Sequence, residues 1–286
     1  MAVVSTAPPR RSRAARRDPT GAATSMTPRP RIRRAVVTGA SAGIGAVFAR
    51  QLSARGVEVV LVARRRQRLE DLAASLPTPA EVLPADLADP ADLARVVDRV
   101  RATDRPVDLV VNNAGSGVYG VLSHQDPDHL AALVAVNVTA VVALTRAALP
   151  GLEARGGGGV INVGSTAGYQ PGPYSAVYGA SKAFVRSFTE AVAEEVAGSP
   201  VQVMLLAPGV TATEFQGVAG VPEGAFPAAL VGDAEAVVSA ALEAFAAGRI
   251  VCVPVWTDRL VAGLSQVVPS RVTRRVRARV LRRYVA

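Results

Sequence analysis

Short apolar runs alternate with stretches of helical periodicity along most of the chain. The apolar runs predict strands at residues 35–38, 57–63, 80–85, 107–111, 160–164, 201–206 and 250–253. Helices are predicted between them, at residues 43–55, 64–76, 90–102, 126–149, around 178–182, and 233–246. Short apolar strands that alternate with helices indicate a mostly parallel sheet with helices on both faces. The predicted fold class is therefore a doubly wound α/β fold.

The two ends of the chain differ from this pattern. Residues 1–33 mix Pro, Arg, Ser, Thr and Ala without a hydrophobic period, which predicts a disordered basic extension. This segment weakly resembles an organellar transit peptide, and a true start at Met26 is the alternative. We expect a catalytic domain over residues 34–255 and a basic helical tail over residues 256–286.

The charge of the chain lies mainly at its ends. The 286 residues carry a net charge of +9, of which residues 1–34 contribute +8 and residues 271–286 contribute +7, so the segment between them carries −6. An acidic body argues against a nucleic-acid partner. The chain has a single cysteine, Cys252, so it cannot form an internal disulfide, and no His/Cys cluster has metal-ligand spacing. Because disulfides are rare in reducing compartments, we expect a cytoplasmic setting. No apolar run is expected to approach the roughly 18 to 20 residues needed to cross a bilayer.

A glycine-rich turn follows the first strand and opens the first helix. Its sequence is Thr38-Gly39-Ala-Ser41-Ala-Gly43-Ile44-Gly45. Glycines allow a diphosphate to approach the backbone closely, and the helix N-terminus offers free N–H groups and a positive dipole end. The spacing differs from the common G-x-G-x-x-G fingerprint, and an ordinary βα turn is the alternative.

The residues after the second strand indicate which nucleotide the turn would bind. Sites for NAD usually place a carboxylate here, whereas an arginine accommodates the 2′-phosphate of NADP. This chain has Ala63 followed by Arg64, Arg65 and Arg66. NADP is therefore predicted and NAD is less favoured, with Arg64 as the first candidate and Arg65 as the second. The alternative is a solvated helix start.

Two further loops lie at the carboxyl ends of predicted strands, where doubly wound folds bind ligands. Asp86 follows the third strand and could accept a hydrogen bond from an adenine amino group. The fourth strand ends in Asn112-Asn113-Ala114-Gly115, where the cofactor would cross.

Four residues could carry the chemistry. Tyr178 and Lys182 are four apart in a predicted helix, so they share a face, and Lys182 is the one lysine beside 31 arginines. Hydride delivery to a ketone creates an alkoxide that needs a proton, which Tyr178 could supply if Lys182 lowers its pKa. Ser165 could donate to the carbonyl oxygen. Asn137, on an apolar helix stripe, could hold a relaying water or serve a structural network.

These motifs, in this order and spacing over residues 34–255, resemble those of the short-chain dehydrogenase/reductase family. The resemblance implies a seven-stranded Rossmann fold, a Ser165-Tyr178-Lys182 site completed by Asn137, and reversible carbonyl/alcohol oxidoreduction with a nicotinamide cofactor. The motifs and the resemblance together predict these cofactor-binding residues: Gly39, Ser41, Gly43, Ile44, Gly45, Arg64, Arg65, Asp86, Asn113, Ala114, Gly115, Tyr178, Lys182, Pro208, Gly209 and Thr211. The resemblance also implies a homodimer or homotetramer that pairs through the two long helices.

The surroundings of the site suggest its substrate and partners. Residues 210–230 are predicted to form a lid, and the apolar loops around the site favour a small or lipophilic carbonyl compound. His124 and His129 are interpreted as surface or cap residues. In the tail, Val268, Val272, Val276 and Val280 recur every four residues between arginines. This pattern predicts peripheral membrane contact, or valines packed on the body or a partner subunit.

Two alternative functions stay open at this stage. The same site could run oxidatively as an alcohol dehydrogenase with NAD(P). The protein could also be a nucleotide-binding regulator that lacks turnover.

Overall fold

The computed structural model describes residues 31–220 and 231–282. The strands are β1 Arg34–Thr38, β2 Glu58–Ala63, β3 Ala80–Pro84, β4 Leu109–Asn112, β5 Gly158–Val163, β6 Val201–Leu206 and β7 Val251–Cys252. The helices are α1 Gly43–Ala54, α2 Arg66–Ser75, α3 Pro90–Arg101, α4 Pro127–Val134, α5 Ala140–Ala154, α6 Ala176–Glu195, α7 Phe215–Val218, α8 Ala234–Ala246, α9 Trp256–Val267 and α10 Ser270–Leu281.

The seven strands form one parallel sheet in the order β3-β2-β1-β4-β5-β6-β7. This arrangement confirms the predicted doubly wound fold, and every described pairing is parallel. The chain runs outward from β1 in one direction and then returns to its other side at β4. The strand order thus reverses between β1 and β4, and ligands of such sheets bind in the crevice at this point.

Apolar side chains fill both faces of the sheet, as continuous apolar strands require. On one face, Phe48 of α1 and Val238 of α8 pack with Leu61 of β2. On the other, Leu144 of α5 and Val192 of α6 pack against neighbouring strands. The two cores leave the carboxyl edge of the sheet open for a site.

The predicted helix over residues 126–149 differs from the observed one. It continues to Ala154, and a π-helical turn, Ala135–Thr139, separates α4 from α5. Hydrophobic periodicity does not reveal one inserted residue, so the sequence could not show this turn. Such turns widen the backbone spacing and often occur at functional sites.

The stretch Pro127–Ala154 is long and apolar enough to cross a membrane by length and composition, with a mean hydropathy of 1.9 over an 18-residue window. Our expectation that no run reaches bilayer length was wrong, because average hydropathy tolerates scattered polar residues such as Asn137. Leu133, Leu144 and Leu152 are nevertheless fully buried in the protein core. This stretch is therefore interpreted as a core helix.

The tail consists of two helices, α9 and α10. Val272 and Val276 are 52% and 57% exposed, so the expectation that they pack on the body is wrong. In contrast, Arg277 is partly buried. The predicted lid is described as far as α7 and resumes at residue 231, where Gly232 pairs with Thr211. The predictions for residues 1–30, 221–230 and 283–286 lie outside the described residues.

Candidate active site

A cleft of about 730 Å³ opens at the carboxyl edge of the sheet. It brings together most of the residues that the sequence singled out. The predicted residues in its wall are Gly39, Ser41, Gly43, Ile44, Arg64, Arg65, Asp86, Asn113, Ala114, Gly115, Ser165, Tyr178, Lys182, Pro208, Gly209 and Thr211. Two predicted residues, Gly45 and Asn137, lie behind the wall.

The glycine-rich turn leaves the N-terminus of α1 available to a ligand. Gly39 and Gly43 have φ of +66° and +53°, in the region that favours glycine. No side chain caps α1, and its first turn carries no acidic residue. Its first N–H groups therefore lack a side-chain acceptor and can receive an anion. Gly45 has a packing role, because an added Cβ would clash with the carbonyl oxygen of Gly39.

The turn is held against β4 by Thr38 and Asn113. The Thr38 hydroxyl accepts from the backbone N–H groups of Asn113 and Ala114 at 2.9 and 3.0 Å. The Asn113 side chain donates to the Thr38 carbonyl at 2.9 Å. These bonds join the glycine-rich turn to the loop after β4, on the two sides of the switch point.

Of the arginines after β2, Arg65 makes the closer contacts with the glycine-rich turn. Its guanidinium donates to the Ser41 hydroxyl at 3.0 and 3.2 Å and pairs with Glu214 at 2.9 Å. Arg64 is 74% exposed and lies 3.8 Å from Asp86. Both line the cleft. The sequence ranked Arg64 before Arg65 as the residue that would hold a 2′-phosphate. In the structure, Arg65 is the one that contacts the glycine-rich turn.

Glu214 joins the lid segment to these arginines and was missed in the sequence. Its carboxylate accepts from Arg65 and, at 2.6 Å, from Arg68. Both hydrogen bonds hold the pKa of Glu214 below its ordinary value. The pairs are half exposed, so each contributes little stability.

Tyr178 and Lys182 lie at the start of α6 and are both buried, with 7% and 5% of their surface exposed. The Lys182 Nζ donates to the Val163 carbonyl at 2.8 Å and lies 6.0 Å from the centroid of the Tyr178 ring. Burial lowers the pKa of Lys182 from 10.5 to about 8, since a charged ammonium is poorly solvated there.

Burial raises the pKa of Tyr178, and the nearby Ser165 hydroxyl and Arg277 guanidinium partly oppose this rise. We expected Lys182 to be the group that lowers it, but Ser165 and Arg277 supply that influence here. The Ser165 Oγ accepts from the Ala167 N–H at 3.1 Å, and its own O–H is a donor beside the Tyr178 phenol. The Phe215 ring covers Tyr178 at a centroid distance of 5.5 Å.

Asn137 lies fully buried in the π-helical turn. Its Oδ1 accepts from the Ser116 N–H, and its Nδ2 donates to the Ser116 carbonyl and the Ser181 hydroxyl, all at 2.9 Å. Both amide hydrogens are thus used, and further acceptor capacity remains only on Oδ1. The side chain holds the loop after Gly115 against α6. An added Cβ on Gly115 would lie 3.4 Å from Asn137 Oδ1 and 3.5 Å from Lys182 Nζ.

A buried polar ladder beneath the site was not predicted. Asn112 Nδ2 donates to Asn162 Oδ1 at 2.8 Å and to Thr145 Oγ1 at 3.2 Å. Asn162 Nδ2 donates to Thr189 Oγ1 at 3.1 Å. The ladder fixes α5 and α6 to the centre of the sheet, which orients Tyr178. An asparagine inside the apolar run 160–164 was the signal available in the sequence.

Two other residues of the cleft wall, His129 and Arg277, were not predicted to belong to the site. His129 lines the cleft and lies 3.5 Å from the Ser116 hydroxyl, whereas His124 is exposed. Arg277 reaches the cleft from α10. The sequence predicted a basic amphipathic helix there, with its arginines in solvent.

The catalytic-domain part of the chain matches known proteins. The family model described as short chain dehydrogenase matches residues 33–221. An NADP-dependent 3-hydroxy acid dehydrogenase of Shigella flexneri is 35% identical over 190 residues, which cover 64% of this chain and 75% of the relative.

Solved structures show the same architecture. A short-chain dehydrogenase from Sphingobium yanoikuyae in complex with NADPH has a TM-score of 0.74 and 34% identity, over 83% of this chain and 97% of the other. A bulky-bulky ketone specific alcohol dehydrogenase from Comamonas testosteroni has a TM-score of 0.70 and 31% identity, over 83% and 95%. A Burkholderia phymatum relative in complex with NAD has a TM-score of 0.71 and 26% identity, over 81% and 92%. Because the family match covers more than half of the chain, the protein belongs to the short chain dehydrogenase family of oxidoreductases.

Proposed function

We propose that the protein transfers a hydride between NADP(H) and a carbonyl or secondary alcohol substrate, with Tyr178 as general acid and base. The observation that carries this proposal is the shared cleft. A buried phenol, a buried ammonium and the Ser165 hydroxyl line the same cavity as the uncapped N-terminus of α1.

The residues present fit a dinucleotide. The free N–H groups of α1 would hold the diphosphate, and Arg65 with Ser41 would hold a 2′-phosphate. Asp86 and Ala114 would border the adenosine half, while Pro208, Gly209 and Thr211 would border the nicotinamide. Lys182 would hold the ribose through the ammonium hydrogens that Val163 does not accept.

The side chains divide the proton chemistry among them. The chemistry that a bound nicotinamide supplies is hydride transfer to the carbonyl carbon. Ser165 would donate its O–H to the carbonyl oxygen and stabilise the charge that develops there. Because burial keeps the Tyr178 phenol protonated at neutral pH, this phenol holds the proton that reduction requires. Asn137 fixes the loop after Gly115 against α6, which bears Tyr178.

Two features support NADP over NAD. Two arginines and no fixed carboxylate line the cleft directly after β2, and the Glu214 carboxylate that reaches them belongs to the lid segment. The Shigella relative is named as NADP-dependent, and the Sphingobium structure contains NADPH. The Burkholderia structure contains NAD, so the preference needs a direct measurement.

The experiment combines turnover with cofactor binding. NADPH oxidation is measured against a panel of carbonyl compounds graded by size and polarity, and NADPH affinity is measured by fluorescence titration. Tyr178→Phe should bind NADPH as the wild type does and lose at least about a hundredfold in turnover, the usual contribution of a general acid. Unchanged turnover in this variant would refute the mechanism, and NADPH binding without any turnover would favour the silent regulator.

Arg65→Ala and Arg64→Ala test the cofactor preference. Each should weaken NADPH binding more than NADH binding, with the larger effect at Arg65. Arg66→Ala is the matched control, because Arg66 is exposed, pairs with Glu70 and lies outside the cleft wall. Equal losses for both cofactors would contradict the assignment.

Assembly and location remain proposals. We infer a cytoplasmic homo-oligomer that pairs through α4 and α6, supported by Val134 and Phe184, which are 41% and 39% exposed. Light scattering tests this inference. The comparisons do not support the peripheral membrane contact predicted for the tail, which stays a hypothesis that liposome co-sedimentation with and without residues 271–286 can test.

A further inference from the structure

Arg277 brings a positive charge into the cleft wall that also holds the Tyr119 and Tyr178 phenols. It comes from α10, beyond the part of the chain that the family model matches. Near the reacting phenol this part of the wall is formed by Tyr119, Val136 and Phe215. A guanidinium in such surroundings recognises an anion, because carboxylates and similar groups accept two of its N–H donors side by side.

The guanidinium lacks an acidic partner among the residues that the structure describes. Its one hydrogen bond is a donation to the Gln170 carbonyl at 3.3 Å. Arg277 has five N–H donors, so most have no acceptor within residues 31–220 and 231–282. Of the described acids in the cleft wall, Asp86 pairs with Arg64, and Glu214 pairs with Arg65 and Arg68. An unpaired, partly buried cation is costly unless a ligand completes it.

The position of Arg277 in the cleft indicates the direction in which a bound substrate would extend from Tyr178. Arg277 and the Tyr119 and Tyr178 phenols line the same cleft. The charge of Arg277 partly opposes the rise that burial causes in the pKa of both phenols, and burial lowers the pKa of Arg277 itself. A substrate whose carbonyl oxygen meets Tyr178 and Ser165 would thus extend the rest of its chain towards Arg277.

We propose that Arg277 forms an anion-binding subsite and that the substrate is a carbonyl compound with a carboxylate or similar anionic group at its other end. The apolar wall would hold the intervening carbon chain. The anionic group meets a pre-placed charge, so it fixes the carbonyl relative to Tyr178. The carbonyl half of this inference rests on the proposed function, whereas the anion-binding half can be tested without turnover.

The first measurement compares matched acids and esters. Wild-type protein and NADPH are assayed with oxo acids from 3-oxobutanoate to 7-oxooctanoate and with the methyl ester of each. At one chain length, we expect kcat/KM for the acid to exceed that for its ester by about tenfold to a hundredfold, the size of a charge-assisted hydrogen bond. Arg277→Gln should abolish this ratio, and Arg277→Lys should keep part of it.

Arg275→Gln is the matched control. Arg275 lies on the same helix, is exposed and is absent from the cleft wall, so this variant should keep the wild-type ratio. Thermal unfolding of each variant shows whether α10 is intact. A ratio that stays below one at every chain length, or that persists in Arg277→Gln, would overturn the subsite.

The second measurement separates this inference from the proposed reaction. Calorimetry on protein saturated with NADP+ compares hexanoate with hexanamide, neither of which can be reduced at a ketone. Hexanoate should bind more tightly, and only in variants that keep a charge at position 277. Charge-dependent binding without turnover of any oxo acid or ester would sustain the subsite and refute the reductase. Turnover of esters without hexanoate binding would sustain the reductase and refute the subsite.

Discussion

Replacement of Lys182 by methionine should make the protein's stability respond to pH in a specific way. The ammonium is buried, and its pKa falls from 10.5 in the exposed chain to about 8 in the folded protein. Folding therefore penalises the charged form. At about 1.36 kcal/mol per pKa unit, the difference corresponds to a penalty of about 3 kcal/mol.

The direction of the pH dependence follows from proton uptake. Between pH 8 and 10.5 the unfolded chain binds more protons at Lys182 than the folded protein does, so the contribution of Lys182 to wild-type stability rises with pH. The penalty is fully present below about pH 8 and absent above about pH 10.5. Lys182→Met has no such dependence. Its stability advantage over the wild type should therefore shrink by about 2 to 3 kcal/mol between pH 7 and pH 10.

Urea unfolding of cofactor-free wild type and Lys182→Met at pH 7, 8, 9 and 10 measures this change. Because the chain contains one lysine, no other ε-amine contributes to the difference. Lys182→Arg is the control, since a guanidinium does not titrate in this range, and its difference from Lys182→Met should stay constant. A wild-type curve parallel to that of Lys182→Met over the whole range would refute the assignment of a buried, weakly charged lysine.

Two other perturbations test the lid contact and the sheet. Glu214→Gln should tighten NADPH binding about two- to fivefold and leave NADH binding unchanged, because loss of this weak exposed ion pair frees Arg65 for the 2′-phosphate. Fluorescence titration measures both affinities. An equal change for NADH would contradict competition between Glu214 and the 2′-phosphate for Arg65. Gly159→Ala should destabilise the protein by at least about 1 to 3 kcal/mol in urea unfolding, because its Cβ would meet the Gln202 carbonyl oxygen on the neighbouring strand. Gly217→Ala, with nothing within 4 Å of the new Cβ, is its control and should change stability little.

Much of the fold could be predicted because each strand is a short apolar run between amphipathic helices. Boundaries moved by a few residues, as at β7, where the predicted strand 250–253 is limited to Val251–Cys252. The pairing of β1 with β4 is a long-range fact that no local pattern contains. It follows only from the topology expected of a doubly wound sheet.

The site residues with a fixed place in a motif could be found from spacing. Tyr178 and Lys182 share a helix face whatever the rest of the chain does, and Gly39 and Gly43 adopt conformations that favour glycine. Arg277 and Glu214 could not be found in this way. Their relation to the cleft depends on how α10 and the lid segment pack, and neither contact leaves a period in the sequence.

Because α10 reaches the cleft, the residues proposed for proton transfer and the residue proposed for substrate binding lie in different segments of the chain. The residues that would move protons all lie within the segment that the family shares, while Arg277 belongs to a segment outside it. If Arg277 binds the substrate as proposed, a change confined to α10 would alter which substrates bind while the sheet, the glycine-rich turn and the α6 pair stay the same.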